Sequence, residues 1–105
     1  MTLRQEKLNT LFKKLIAQFL QEEIEHGLVT ITSCTVMPNL RSARASLAVY
    51  PEKMEEKVLA LVEEKQRDLR DFLKKNTRIK IIPIIIFSID RGEQYRQKIT
   101  DLLNS

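Results

Sequence analysis

Apolar residues near the start of the chain recur at the spacing of an amphipathic helix. Side chains three or four positions apart share one face of a helix. The apolar positions that follow this spacing are Leu8, Leu11, Phe12, Leu15, Phe19 and Leu20. Thr2 with Gln5 matches a capping box at the helix start, and Gly27 is a typical residue just past a helix end. The pattern predicts one long helix over this region.

Two stretches after Gly27 have the composition of β-strands. The first, VTITSCTVM, is rich in β-branched residues and ends at Pro38. The second, SARASLAVY, alternates and is followed by Pro51. One face of the second strand carries Ala43, Ala45, Leu47 and Val49, and the other face carries Arg44, Ser46 and Ala48. The short PNLRS between the strands suits a hairpin connection.

The alternation of the second strand predicts which side of it is buried. We expect its apolar face to pack on the same core as the first helix. The helix residues expected in that core are Leu11, Leu15 and Phe19.

Helical spacing returns between residues 52 and about 76, with an interruption in the middle. The apolar positions before the interruption are Val58, Leu61 and Val62, and those after it are Leu69, Phe72 and Leu73. The polar run EEKQRD separates the two groups. One long helix and two helices joined by a kink both fit this pattern, and we expect a bend or short break within residues 63–68.

The most apolar run, IKIIPIIIFSI, predicts a last strand. Residues 81–87 are apolar on both faces, so both faces are expected to be at least partly covered. Pro83 cannot donate a ladder hydrogen bond, which indicates an edge position or a bulge. EQYRQKITDLL closes the chain as a short helix, whose apolar face carries Tyr95, Ile99, Leu102 and Leu103.

The order of these elements predicts an α+β fold. Helix, strand, strand, one or two helices, strand and a short C-terminal helix form a three-stranded sheet covered by helices. The 105 residues suffice for one domain with a modest core, and we take residues 1–105 as that single domain.

The net charge of +4 is unevenly distributed along the chain. Residues 52–65 contain five acidic and three basic residues, whereas residues 67–80 contain six basic and two acidic residues. Charge that serves only solubility mixes the signs, so the basic segment is a candidate for binding an anionic partner. A solvated helix surface is the alternative interpretation. Basic residues at a helix C-terminus also complement the helix dipole.

The basic segment ends where the apolar strand begins. Burial of Ile81, Ile85 and Phe87 is expected to contribute about 1.5–3 kcal/mol per side chain. Such burial would hold the neighbouring charges at fixed positions, so that they lose less conformational freedom on binding phosphates. Each phosphate neutralised releases counterions and makes the affinity depend on salt.

Few residues in the chain are suited to catalysis or metal binding. Cys34, the single cysteine, excludes an internal disulfide and favours a reducing, cytoplasmic location. It is expected to be a small buried residue rather than a nucleophile, since the only histidine, His26, lies at a predicted helix end. His26 and Glu22 have the spacing of a helical metal pair but no further ligand in view. Two glycines cannot form a phosphate-binding loop. We therefore expect no enzyme activity, cofactor or metal.

No feature of the sequence predicts a membrane location. The start of the chain, MTLRQEKLNTLFKKL, breaks any apolar run with charges and is not expected to be a signal peptide. IIPIIIF is far shorter than the about 20 apolar residues of a membrane span.

The order of elements and several motifs resemble those of the bacterial ribosome-binding factor A family. The motifs are LVTITSCTVMPNLRSARASLAVY, LRDFLKKNTRIKIIPIIIFSID and EQYRQKITDLL. In the family a VTIT strand leads through a polar residue and a leucine to an alternating strand, which here corresponds to VTIT, Asn39–Leu40 and the stretch from Ala43. A basic strand start followed by a proline matches Arg78–Ile79–Lys80 and Pro83. The resemblance covers nearly the whole chain.

The resemblance implies a KH-like fold of the second type and a non-enzymatic role in late maturation and rRNA processing of the small ribosomal subunit. The implied partners are the small subunit and its rRNA, bound by a cytoplasmic monomer, with no membrane and no small-molecule substrate. The GxxG loop of ordinary KH domains is absent, as in the family. The family marks its interhelical kink with small residues, whereas this chain has Lys65–Gln66–Arg67 there. The candidate RNA-binding residues are Arg67, Arg70, Lys74, Lys75, Arg78, Lys80, Arg41 and Arg44.

Two alternative functions fit the same sequence. A generic KH-like RNA-binding domain without a ribosomal role would bind short single strands as well as it binds subunits. A protein-interaction module would self-associate through an uncovered face of the last strand, formed by Ile82, Ile84 and Ile86.

Overall fold

Helices cover one face of a three-stranded sheet in the part of the chain that the structure describes. That part comprises residues 3–24, 28–92 and 102–103 of a computed structural model. The elements in chain order are α1 (Leu3–Glu23), β1 (Leu28–Val36), β2 (Ser42–Tyr50), a 3-10 turn (Glu52–Met54), α2 (Glu55–Glu64), α3 (Gln66–Asn76) and β3 (Ile84–Ile89). The predicted α+β order is confirmed. The predicted capping residue Thr2, the predicted helix stop Gly27 and most of the segment predicted as a C-terminal helix lie outside the described residues.

The central strand of the sheet is β2. It pairs antiparallel with β1 through a hairpin and parallel with β3. The hairpin closes with the N–H of Met37 donating to the carbonyl of Ser42 at 2.9 Å, and Leu40 has a φ of 60°. Because parallel strands need a crossover connection, α2 and α3 link β2 to β3. The sheet is therefore mixed, with one antiparallel and one parallel pair of strands.

The predicted register of β2 is confirmed. Its buried side chains are Ala43, Ala45, Leu47 and Val49, which share one core with Phe12, Leu15, Ile16 and Phe19 of α1. Arg44 points to the opposite, exposed side. The prediction for Leu11 was wrong, because 38% of its surface is exposed. The buried stripe of α1 is centred on Phe12 and Ile16, so Leu11 lies at its margin.

The predicted interruption between the second and third helices is confirmed, and it lies at Lys65. This residue has φ −96° and ψ 12° and belongs to neither helix. Val58, Val62, Leu69 and Leu73 are buried. Their spacing of four, seven and four positions places Lys65 on the same stripe. A lysine head group is not stable in a core, and here its Nζ reaches Glu23 Oε2 at 3.2 Å.

Strand β3 is shorter and more exposed than the sequence predicts. It begins directly after Pro83 and, among the described residues, pairs only with β2, so the predicted edge position is confirmed. Coverage of both faces was wrong. Ile85 and Phe87 are buried, but Ile84 and Ile86 are 60% and 50% exposed. The burial of Ile81 was also wrong, at 81% exposed. No described element lies on the outer face of the sheet.

Side-chain amides from the helices satisfy peptide groups on the outer edges of both edge strands. Asn9 Oδ1 accepts a hydrogen bond from the N–H of Val36 on β1 at 2.7 Å, and Gln5 Nε2 lies 3.5 Å from the Val36 carbonyl. On the opposite edge, Gln66 Nε2 donates to the carbonyl of Ile85 at 2.8 Å. Each edge is protected from pairing with other chains only where such a side chain covers it.

Replacing Asn9 by Ala is expected to lower the free energy of unfolding by about 1 kcal/mol or more, because the N–H of Val36 loses its acceptor. The higher helix propensity of Ala offsets part of this loss. Chemical denaturation measures the change. The control is Gln18→Ala, an exposed position on the same helix, which is expected to change stability by less than about 0.5 kcal/mol. Equal stability of the two variants would contradict the assigned role of Asn9.

Candidate nucleic-acid interface

Packing on both sides of α3 determines which of its residues face solvent. Leu69 and Leu73 are buried in the core. Phe72 contacts Phe19 of α1, with ring centroids 5.7 Å apart and a 44° tilt. Gln66, on another side of the helix, bonds the edge of β3. These contacts hold α3 at both flanks, so the remaining side of the helix is directed outward in a fixed orientation.

Arg67, Arg70 and Lys74 form a basic stripe on the exposed side of α3. They recur at three and four positions and are all exposed. Arg70 and Lys74 lie one and two turns after Gln66 and are rotated progressively outward from it, away from the Phe72 contact. Lys75 is also exposed, although Asp68 and Asp71 lie on the same outward half of the helix. The stripe therefore places a row of positive charge on a helix whose other side is buried in the core.

The segment between α3 and β3 holds two further basic residues at one end of the sheet. Ile79 is partly buried and Ile82 is buried, whereas Arg78 and Lys80 are exposed. Burial of the isoleucines anchors the segment and directs both cations outward. The predicted anchoring of this junction is therefore retained, although Ile82 takes the place predicted for Ile81.

Arg41 and Arg44 lie at different places relative to this segment. The carbonyl of Arg41 accepts a hydrogen bond from the N–H of Ile84 at 3.0 Å. Arg41 therefore lies beside the start of β3, next to the segment that contains Lys80. Arg44 pairs with Ile86 in the register and projects from the open face of the sheet. The fold thus groups Arg41 with the segment before β3 and separates Arg44 from the α3 stripe.

Acidic residues concentrate on α2, before the break at Lys65. Glu56, Glu63 and Glu64 are exposed. The uneven charge distribution in the sequence therefore corresponds to two successive helices. Helix α2 is acidic, and the outward side of α3 is basic.

Two polar contacts at the end of β3 had no signal in the sequence. Glu55 is buried at the start of α2, and its Oε2 lies 2.6 Å from Nη1 of Arg91. Thr32, at the β-bulge in β1, has its hydroxyl 2.7 Å from Oδ2 of Asp90. Both pairs join residues far apart in the chain, so only the tertiary structure reveals them. They fix the exit of β3 against α2 on one side and against β1 on the other.

A metal site needs several ligating side chains close together. No group of three or more His, Cys, Asp or Glu side chains within these ranges is placed to hold a metal ion. His26 lies outside them. None of the described helices has the length and apolarity needed to cross a membrane.

Cys34 is buried in the core, as predicted. Burial raises the pKa of the Cys34 thiol to about 11, and the positive charge of Lys13 offsets part of this shift. A thiol with so high a pKa is almost entirely protonated at neutral pH and is a poor nucleophile.

Comparison with known proteins identifies the relatives of this chain. The ribosome-binding factor A family profile matches residues 4–103. Ribosome-binding factor A of Prochlorococcus marinus strain NATL1A is 32% identical over 108 residues, which cover 97% of this chain and 88% of the relative. The predicted resemblance is confirmed.

Solved structures of the same family share the fold. The crystal structure of ribosome-binding factor A from Thermus thermophilus superposes with a TM-score of 0.76 at 19% identity, covering 83% of this chain and 96% of that one. A homology model of the Thermus thermophilus protein, fitted into the cryo-EM map of its complex with the 30S subunit, gives a TM-score of 0.71 at 20% identity, covering 81% and 93%.

At pH 8, Cys34 is expected to react with iodoacetamide about a hundredfold more slowly than an unperturbed thiol, because little of it is thiolate. Mass spectrometry of the alkylated native protein measures the rate, and the urea-unfolded chain is the control that reacts normally. Because the pKa is raised from 9.0 to about 11 in the folded state, the stability due to the protonated thiol is full below pH 9 and is lost as the pH rises to about 11. Fast alkylation of the native protein would contradict this burial.

Proposed function

This chain belongs to the ribosome-binding factor A family, and we propose that it binds the small ribosomal subunit through its rRNA as a non-enzymatic assembly factor in late maturation and rRNA processing. A relative from Thermus thermophilus is described in a complex with the 30S subunit, which supports this choice of partner. A cytoplasmic monomer of one domain, without cofactor or metal, is part of the proposal.

The proposal rests on the exposed basic stripe of α3 and on the basic segment that follows it. Arg67, Arg70 and Lys74 project from a helix that is held by Leu69 and Leu73 in the core. Cations on a rigid base bind phosphates with less loss of conformational freedom than cations on a mobile loop. Their contacts release counterions and add affinity without reading sequence. Because phosphate contacts do not read the base sequence, the shape of the folded rRNA element determines where these residues bind.

Occupancy is the mechanism that this surface supports. The α3 row, extended by Arg78, Lys80 and Arg41 at the end of the sheet, docks on a folded rRNA element. The bound protein holds an immature conformation of the subunit until a later step displaces it. Arg44, on the other face of the sheet, is expected to contribute least to this contact.

The junction between α2 and α3 argues against a generic KH domain that clamps single strands. KH domains use a GxxG loop to hold the backbone of single-stranded nucleic acid. Here the junction has Lys65, paired with Glu23, and Gln66, bonded to the edge of β3. Long side chains that are already engaged replace the small residues that would admit a nucleic-acid backbone. We therefore expect weak binding of short single strands.

Self-association through β3 is the second candidate function, and one observation favours it. Ile84 and Ile86 are exposed side by side on the open face of the sheet. Ile82, which was predicted to share this face, is buried and was assigned wrongly. The exposed apolar patch is therefore smaller than predicted. Arg44 of β2, which pairs with Ile86, lies on the same face of the sheet.

Reversing the charge of Lys74, Lys75 and Arg78 to Glu is expected to weaken binding to small subunits strongly while leaving the fold intact. All three side chains are exposed, so they contribute little to the core. The slope of log affinity against log salt should decrease by about 0.7–0.9 for each phosphate that the variant no longer neutralises. Co-sedimentation with purified small subunits over a salt series measures both effects, with large subunits as the specificity control.

The matched control reverses Glu56, Glu63 and Glu64 to Lys. These residues are exposed on α2, whereas Glu55 is buried and paired with Arg91 and so is unsuitable for reversal. The control variant is expected to bind as well as the wild type or better. If the basic variant folds normally by circular dichroism and still co-sediments as the wild type does, this surface is not the rRNA site. Concentration-dependent dimers that Ile86→Glu abolishes would then support the second candidate.

A further inference from the structure

A groove of about 410 Å3 lies between α1 and the outer edge of β1. Lys13, Lys14 and Ala17 form its wall on the helix, and Val29 and Ile31 lie along its strand side. Thr10 and Gln21 mark the two ends of the helical wall. The groove is on a different part of the molecule from the α3 row, and the proposed rRNA contact does not use it.

The strand side of the groove presents peptide groups that point away from the sheet and have no hydrogen-bond partner among the described helices. The N–H of Val36 points outward to Asn9. Because peptide groups of a strand alternate in direction together with its side chains, residues that share the core-facing side with Val36 direct their N–H and C=O outward. Val29 and Ile31 are such residues, on the far side of the bulge at Thr32. Within the described ranges, no hydrogen bond from a helix reaches them, in contrast to Val36.

The charge of the groove selects among extended ligands. Lys13 and Lys14 are exposed on its wall, and none of its described lining residues is acidic. An adjoining depression along α1 adds Lys7 and Glu6, whose charges cancel. The small side chain of Ala17 leaves room between the lysines and Gln21 for a side chain of a bound segment. The groove therefore combines cationic side chains with a row of backbone donors and acceptors.

We propose that this groove binds an extended, acidic peptide segment of a partner protein. The segment adds a strand beside β1 and pairs its backbone with the outward peptide groups of Val29 and Ile31. Strand addition obtains affinity from main-chain hydrogen bonds and specificity from alternate side chains. The side chains directed toward α1 are acidic and contact Lys13 and Lys14. A nucleic-acid strand satisfies the two lysines but has no alternating donors and acceptors to match the strand edge.

The test uses a fluorescent peptide of about eight residues that alternates Glu with Val, titrated with the full-length protein. Anisotropy gives the affinity, and 15N–1H spectra show which amides shift. We expect binding that perturbs the amides of Val29 and Ile31. Lys13→Glu with Lys14→Glu should weaken the affinity about tenfold or more. The matched control, Lys74→Glu with Lys75→Glu, should leave it unchanged.

Two N-methylated peptides test the strand pairing without altering the protein. Methylation of every second amide, in one phase or in the other, removes different donors. Because only alternate peptide groups of a strand face a given neighbour, one phase should abolish binding and the other should preserve it. Three results would each overturn the proposal. The two methylated peptides bind equally, the unmodified peptide does not bind at about 1 mM, or an oligouridylate binds more tightly and displaces the peptide from α1 and β1. None of these outcomes depends on subunit binding.

Discussion

Burial of one face of β2 is the constraint on which the rest of the structure depends. Ala43, Ala45 and Leu47 are completely inaccessible to solvent, and the two alanines allow the helical layer to approach closely. The strand has partners on both edges, antiparallel β1 and parallel β3. A parallel partner requires a long crossover, and α2 and α3 are that crossover. The basic helix therefore lies in a connection that the sheet topology itself requires.

Covering only one face of the sheet determines where the remaining surfaces lie. All helices that the structure describes pack on the face that carries Phe87 and Ile85, which leaves Ile84 and Ile86 exposed on the other face. The edges are treated unequally. Asn9 and Gln66 satisfy single peptide groups at Val36 and Ile85, whereas the opposite half of β1 borders an open groove. An uncovered stretch of an edge strand is open to pairing with another chain.

The break at Lys65 separates structural from functional demands along the crossover. The buried stripe continues from Val62 to Leu69 across it, so both helices remain attached to the same core. A lysine at the intervening stripe position turns outward to Glu23 and ends α2. The acidic residues before the break and the basic residues after it therefore lie on two separate helices that share one core. No small residue stands at this break, where the chain has Lys65–Gln66–Arg67.

The sequence by itself determined the order of the elements, the face of β2 that is buried, the break between α2 and α3 and the segregation of charge. These follow from local periodicity, since 3.6-residue and two-residue repeats assign side chains to faces before any packing occurs. Only the tertiary structure decided that Ile84 and Ile86 stay exposed, that Ile82 rather than Ile81 anchors the segment before β3, and that Arg44 lies apart from the other cations. An apolar run does not state which of its faces another element will cover. The Glu55–Arg91 and Thr32–Asp90 pairs likewise join segments whose meeting depends on the whole fold, because contacts between distant residues have no period in the sequence.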